Sequence, residues 1–470
     1  MLTAGQTSDL LLLEQLLSST PRRYRLPALP ALSLPLDTRD ANHLALVIEH
    51  ARLTLAAGRE PGPALQQAFV DTLAALIREA MQPEGGDPAL QALLLRQQSS
   101  RVQEYTALAL EQPQDKRRVL SLVNAVAHPG KLQGMAPGPG QAALARLQHA
   151  AVGEDWSEVQ TLAAQALSLA DGAGSTSLVA GLNALRETPS LQRLQLYTTL
   201  QADLQVQRYL SLKAQNGPHA RSDAASRQGS AARRRGMEVE TLTIHSLNAW
   251  ADRLNEAAQQ PGLYRVVSSL RVPALLAAGQ SGAKTEWDAV LLRQPVAQTD
   301  TSVVWDISLL VEAKASVDAV STDLPRLLRG LHLLAQAEAG HDYEFASREG
   351  PVRLSGASLK ALDGSEFSRL AAIVLYSSDD PADEPPRLLS AASRMLLLSA
   401  PASLAYAGAL AAAQPADTSV LQPLWHDLLH SPHWKRVLNQ YPTLQQGRAL
   451  MVHVEDMLAA LHCGDSQSKN

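Results

Sequence analysis

Two stretches decide the reading of this chain: TEWDAVLLR, residues 285–293, and WDISLLVEAKAS, residues 305–316. Both are short, rich in Val, Ile, Leu and Trp, and carry their charges near their ends, which is the pattern of neighbouring buried β-strands. If the second is a strand, its side chains alternate, so Glu312 and Lys314 share one face and Ala313 points away from it. An anion and a cation at the end of an apolar run are expensive to bury unless they are paired or bind an ion. A metal site accounts for them. Asp288, supplied by the adjacent strand, gives a second hard oxygen ligand, and two carboxylates completed by waters are what Mg2+ takes from a protein. Lys314 can then act on a water molecule or stabilise charge on a phosphate. Asp306 lies on the same face six residues before Glu312, which places it about 20 Å away along a regular strand. It reads as a strand-start residue.

An acidic residue on one strand, a variable gap, and Glu-x-Lys closing the next strand resembles the PD-(D/E)XK nuclease superfamily, the restriction-endonuclease-like fold. That family runs helix, three strands, helix, strand, and residues 233–378 can be read in the same order. RRRGMEVETLTIHSLNAWADRLNE is the first helix and LYRVVSSLRVPALLAA the first strand. The two stretches above are the second and third. Residues 322–339 form a helix with Pro325 near its start and Leu327, Leu328, Leu331 and Leu334 in an apolar stripe, and LAAIVLYSS, 370–378, is the last strand.

The resemblance implies a hydrolase of phosphodiester bonds in nucleic acid, DNA first, in repair, recombination or defence. It implies Mg2+, with Mn2+ as a substitute, held by Asp288, Glu312 and the Ala313 carbonyl, with Lys314 acting on water or phosphate. A further carboxylate from the first helix is expected. Glu240 is preferred for it over Glu238, although both flank the face marked by Val239, Leu247, Trp250 and Leu254. Glu286-Trp287 stands where the family name has a proline before the aspartate. Arg233, Arg234 and Arg235, and Arg329 on the later helix, are candidates for phosphate contact. The alternative is a non-catalytic scaffold in which Asp288 and Glu312 merely end two strands and the nuclease-like domain has lost its chemistry.

The chain has 470 residues, more than one ordinary core, so two or three domains are expected. Aromatic residues are only 4% while Ala and Leu dominate, which favours packed helices over a large sandwich. The expected division is an all-α domain over 1–212, a basic flexible linker over 213–232, an α/β nuclease-like domain with a mixed sheet over 233–415, and C-terminal helices over 416–470. In the first region, residues 10–17, 41–58, 63–81, 88–111, 141–152, 156–170 and 191–212 show helical spacing. GEDWSEVQTLAAQALSLADG is similar to a tetratricopeptide helix, but no period of about 34 residues repeats it. An irregular helical array is the reading, and such arrays bind protein partners or brace a catalytic domain.

NGPHARSDAASRQGSAARRRG, 216–236, has linker composition. Residues 213–237 carry six Lys or Arg against one acid in a chain of net charge −5, so positive charge is concentrated just before the nuclease-like region. The single cysteine, Cys463, excludes an internal disulfide and suits a reducing cytoplasm. Residues 395–413 are uncharged apart from their neighbours but read as a strand, MLLLS, followed by a buried helix, so no membrane partner is expected. Two other patterns are set aside. GQSGAKTE, 279–286, is similar to a phosphate loop, but Ala283 separates Gly282 from Lys284 and a strand follows where a helix should begin. His426, His430 and His433 have metal-like spacing, but Pro432 breaks the helix before the last of them.

Overall fold

The computed structural model describes residues 4–29, 41–170, 176–216, 223–277, 282–295, 303–362, 364, 366–382 and 386–463. They form two compact units, Met1–Arg78 with Arg221–Asn470, and Glu79–Ala220. The boundary expected at residue 212 is therefore corrected, because the first 78 residues belong with the sheet. The reason is long-range packing that local periodicity does not report. Helix Ala4–Ser19 lays Leu13, Leu16 and Leu17 on Leu247, Trp250 and Leu254. Its Asp9, fully buried, accepts a hydrogen bond from the Tyr264 hydroxyl at 2.8 Å and pairs with Arg293 at 3.0 Å.

Among its described residues the unit Glu79–Ala220 has helices and no strands. The helix expected over 88–111 divides at Ser99, which ends helix Pro88–Gln98 and caps helix Ser100–Ala127 by accepting from Val102 N–H. Val119, Val123, Leu144, Leu147, Val159 and Leu162 form the centre of its core.

The expected linker is also corrected. Helix Leu204–Gln215 reaches into it from one side, and helix Asp223–Ala257 begins ten residues before Arg233. Residues 223–232 have linker-like Ser and Gly, but their Ala, Arg and Gln are good helix formers, and only Gly229 opposes them. The three arginines accordingly ride on a helix of 35 residues.

Strands β1 (Tyr264–Arg271), β2 (Glu286–Arg293) and β3 (Val304–Ala313) form an antiparallel meander. β4 (Asp342–Phe345) and β5 (Val352–Ser355) are a hairpin, and β6 (Val374–Ser378) and β7 (Met451–His453) complete a seven-stranded mixed sheet. One edge of β3 forks. Its first residues pair in parallel with β5, Trp305 opposite Leu354, and its last with β6, Glu312 opposite Tyr376. β6 then pairs in parallel with β7, and a single bridge between Arg271 and Ala346 brings the hairpin back to β1.

Alternation along β2 and β3 sorts the core into two faces. Val290, Leu292 and Leu310 pack with Leu324, Leu327 and Leu331 of helix Ala319–Leu334, the crossover after β3. Ala289, Leu291, Leu309 and Val311 pack with Leu247, Trp250 and Leu254 of the long helix. Both faces being covered explains why these strands read as near-continuous apolar runs. Each fully buried leucine contributes about 2 kcal/mol to holding the layers together.

Three expected elements differ. Residues 370–378 are not one strand, since helix Phe367–Ile373 supplies the first part and β6 the rest. Residues 395–399 are not a strand but the end of helix Ala391–Leu398, whose N-terminus is capped by Ser390. The C-terminal helices expected over 416–470 are interrupted by β7, between helices Gln440–Ala449 and Val454–Cys463. A fully buried three-residue strand has no period that separates it from helix. Among the described residues no single helix is long and apolar enough to cross a membrane.

Candidate functional site

Glu312 and Asp288 project from the sheet face that meets helix Ala319–Leu334, in phase with Leu310 and Val290. Glu312 is 0% exposed at the C-terminal end of β3. Its Oε2 is 2.5 Å from Lys284 Nζ and 3.3 Å from Lys314 Nζ, while its Oε1 is buried without any hydrogen-bond partner. Asp288 Oδ2 accepts the Ala313 N–H at 2.9 Å, which ties the start of β2 to the end of β3. In an extended strand a residue's N–H and C=O point to the same edge, so the Ala313 carbonyl also faces Asp288.

Lys314 Nζ lies 3.2 Å from Asp323 Oδ2 of the crossover helix, and the Tyr376 hydroxyl donates to the same oxygen at 3.2 Å. Lys284 enters from the segment before β2. Its N–H donates to Arg326 O at 3.1 Å, and Gly330 lets the helix approach so closely that a Cβ there would stand 2.8 Å from Lys284 O.

Burial pushes the Glu312 carboxyl up to about 8, with the Asp288 charge adding to the rise and Lys284 and Lys314 opposing it. Burial works against the Lys314 charge, but Glu312, Asp323 and Asp288 outweigh it and hold the ammonium above its ordinary value. Burial, then the charges of Asp323 and Glu312, raise the Tyr376 phenol well above its ordinary value, so it remains a donor. Burial and the charge of Asp288 raise Glu240, and Arg348 opposes the rise.

Asp288, Glu312, Ala313 and Lys314 therefore converge, and Glu240 feels the Asp288 charge while Glu238 is exposed. The arginines do not form one patch. Arg233 and Arg234 are exposed on the long helix, Arg235 pairs with Asp379 at 3.0 Å and Asp380 at 3.5 Å, and Arg329 donates to the Gly282 carbonyl at 2.8 Å. Asp306 sits near the start of β3 opposite Arg293, as a strand-start residue.

Sequence reasoning missed Lys284, Asp323 and Tyr376. Lys284 fell inside the stretch set aside as a poor phosphate loop. Asp323 carried a signal, an acid four residues before Leu327 on the otherwise apolar stripe of its helix.

Among the described residues no group of three or more His, Cys, Asp or Glu side chains is poised to hold a metal ion. The donors that fit one are the two carboxylates and the Ala313 carbonyl, a set of hard oxygens that suits Mg2+ with waters completing its shell. The orphaned Glu312 Oε1 is the specific observation, since a buried carboxylate oxygen without a partner is costly and a divalent cation would satisfy it. Comparison of the chain with family models, with curated proteins and with solved structures found no match.

Proposed function

We propose that this chain is a Mg2+-dependent nuclease of the PD-(D/E)XK type that hydrolyses phosphodiester bonds in DNA. The observation that carries the reading is the unsatisfied, fully buried Glu312 Oε1 beside Asp288 and two lysines. The element order supports it: a long helix, a three-stranded meander, a crossover helix, and a strand parallel to the third.

Asp288, Glu312 and the Ala313 carbonyl would hold the ion, which when bound supplies Lewis-acid polarisation of a phosphoryl oxygen and lowers the pKa of a bound water. Lys314, fixed by Glu312 and Asp323, presents an ammonium that stabilises developing charge on the phosphate or orients the attacking water. Tyr376 locks the Asp323 oxygen that holds Lys314. Glu240, held above its ordinary value by burial and by the Asp288 charge, would serve as the proton acceptor.

Two measurements test the reading. Millimolar Mg2+ should raise the thermal midpoint of the native protein but not of Asp288→Ala, because ligand bound only by the folded state stabilises it by mass action. Cleavage of duplex DNA, single-stranded DNA and RNA should fall about 100-fold or more in Asp288→Ala and Lys314→Ala. No cleavage by the native protein, or equal cleavage by the variants, refutes it.

A further inference from the structure

The turn between β4 and β5 is anchored far more firmly than a hairpin loop requires. β1 pairs Ser268 with Ala289 and Leu270 with Trp287, so Ser269 stands opposite Asp288. There the β1 backbone kinks, with Ser269 at φ 49°, a left-handed conformation that is uncommon for a residue other than glycine. The turn docks on that kink. Glu349 accepts from Ser268 N–H at 2.7 Å and from its hydroxyl at 2.6 Å, Arg348 N–H donates to Ser268 O at 3.0 Å, and Arg271 N–H donates to Ala346 O at 2.9 Å. Within the turn, the Ser347 hydroxyl bonds the carbonyl of Gly350, whose φ of 108° suits glycine.

What this scaffold presents is Arg348. Its side chain is exposed and makes no hydrogen bond or ion pair among the described residues, unlike Arg235 and Arg329, which are engaged internally. The turn holds the Arg348 backbone against Ser268 of β1, next to the Ser269 position that faces Asp288, and the Arg348 charge acts on Glu240 of the long helix. The anchored turn limits the backbone entropy lost when this guanidinium, without a hydrogen-bond or ion-pair partner among the described residues, engages an anion, and its planar fork matches phosphate.

We infer that Arg348 grips the phosphodiester backbone of the substrate and that the Glu349–Ser268 clamp is the device that aims it. The inference rests on the nuclease reading and names the positioning residue that reading lacked. Arg348 binds a phosphate oxygen flanking the scissile bond, and Asp288 and Glu312 serve the reacting phosphate.

Binding of a fluorescein-labelled DNA duplex and of its single strand, followed by anisotropy in EDTA where no turnover occurs, tests it. Arg348→Ala should weaken binding about tenfold and make the slope of log K against log salt shallower by about 0.7 to 0.9, the loss of one phosphate contact. Arg348→Lys should keep the slope and lose only part of the affinity. Glu349→Ala gives the sharper contrast. Removing an anion should tighten binding by simple electrostatics, whereas loss of the clamp should weaken it. Lys360→Ala, at the opposite end of β3 where Ser358 bonds Ile307 N–H, should change neither quantity. Unchanged affinity and slope in Arg348→Ala, or tighter binding by Glu349→Ala, overturns the inference. Cleavage by Asp288→Ala is scored separately: its loss together with unchanged binding in Arg348→Ala overturns this inference alone, its retention overturns the nuclease reading, and a native chain that binds neither DNA form overturns both.

Discussion

Gly330→Ala sets two magnitudes of opposite sign against each other. In the interior of helix Ala319–Leu334 alanine is favoured over glycine by about 1 kcal/mol, and at an open position the change would stabilise the chain by that amount. At Gly330 the new methyl would stand 2.8 Å from Lys284 O, 2.9 Å from Lys284 Cβ and 3.3 Å from Lys284 N. The nearest atoms are backbone and Cβ, with no flexible tip to swing aside, so the cost of overpacking is about 1–3 kcal/mol. Retreat of the segment stretches the bond from Lys284 N–H to Arg326 O, about 1 kcal/mol more, and draws Lys284 Nζ away from Glu312. The net expectation is a loss of about 1–3 kcal/mol. Urea unfolding measures it, with DNA cleavage recorded on the same preparation, where a fall is expected as Glu312 loses one of its two lysines. A gain of about 1 kcal/mol with unchanged cleavage would show that the helix does not press on Lys284 and would refute the account of how that lysine is held.

Glu312→Gln should flatten the dependence of stability on pH. With the folded carboxyl held up to about 8 and the unfolded one near its ordinary value, the folded state binds more protons between pH 5 and 8, so native stability falls as pH rises through that window. The fall is of the order of 4 kcal/mol at most, and glutamine, of the same shape but not titrating, should remove most of it. Urea unfolding in EDTA at pH 5 and pH 8 decides, and parallel profiles for the two proteins would contradict the assignment. Asp9→Ala leaves Arg293 without its buried partner and frees the Tyr264 hydroxyl, so a loss of about 3 kcal/mol is expected. Limited proteolysis should then cut within Ala4–Ser19 first; protection equal to that of the native chain would argue against this anchoring.

Part of the candidate site was legible because strand alternation puts Glu312 and Lys314 on one face; Asp288 was expected from the adjacent strand, but the register that sets it level with Glu312 depends on the pairing of β2 with β3, which composition does not report. What lay outside that rule was lost. Lys284 precedes its strand and is aimed by a helix backbone about 45 residues away in sequence, a contact with no local signature. β4 and β5 are four residues each, and β7 is three, too short for a period to emerge from composition. The start of the long helix was read as linker because Ser and Gly mark loops only statistically, while Ala and Arg extend a helix already nucleated downstream. The membership of Ala4–Ser19 in the sheet unit depended on Asp9 meeting Arg293, a pairing nearly three hundred residues apart in the chain.

The fork along β3 makes the sheet modular. Because β5 takes only the first residues of that edge and β6 only the last, the hairpin is an insertion spliced beside the parallel pairing and not between its members. The register of Glu312 against Tyr376 is therefore set by β6 and not by the hairpin. Under the proposed nuclease function, the contact offered by Arg348 could change with the hairpin while the Glu312 register stayed fixed.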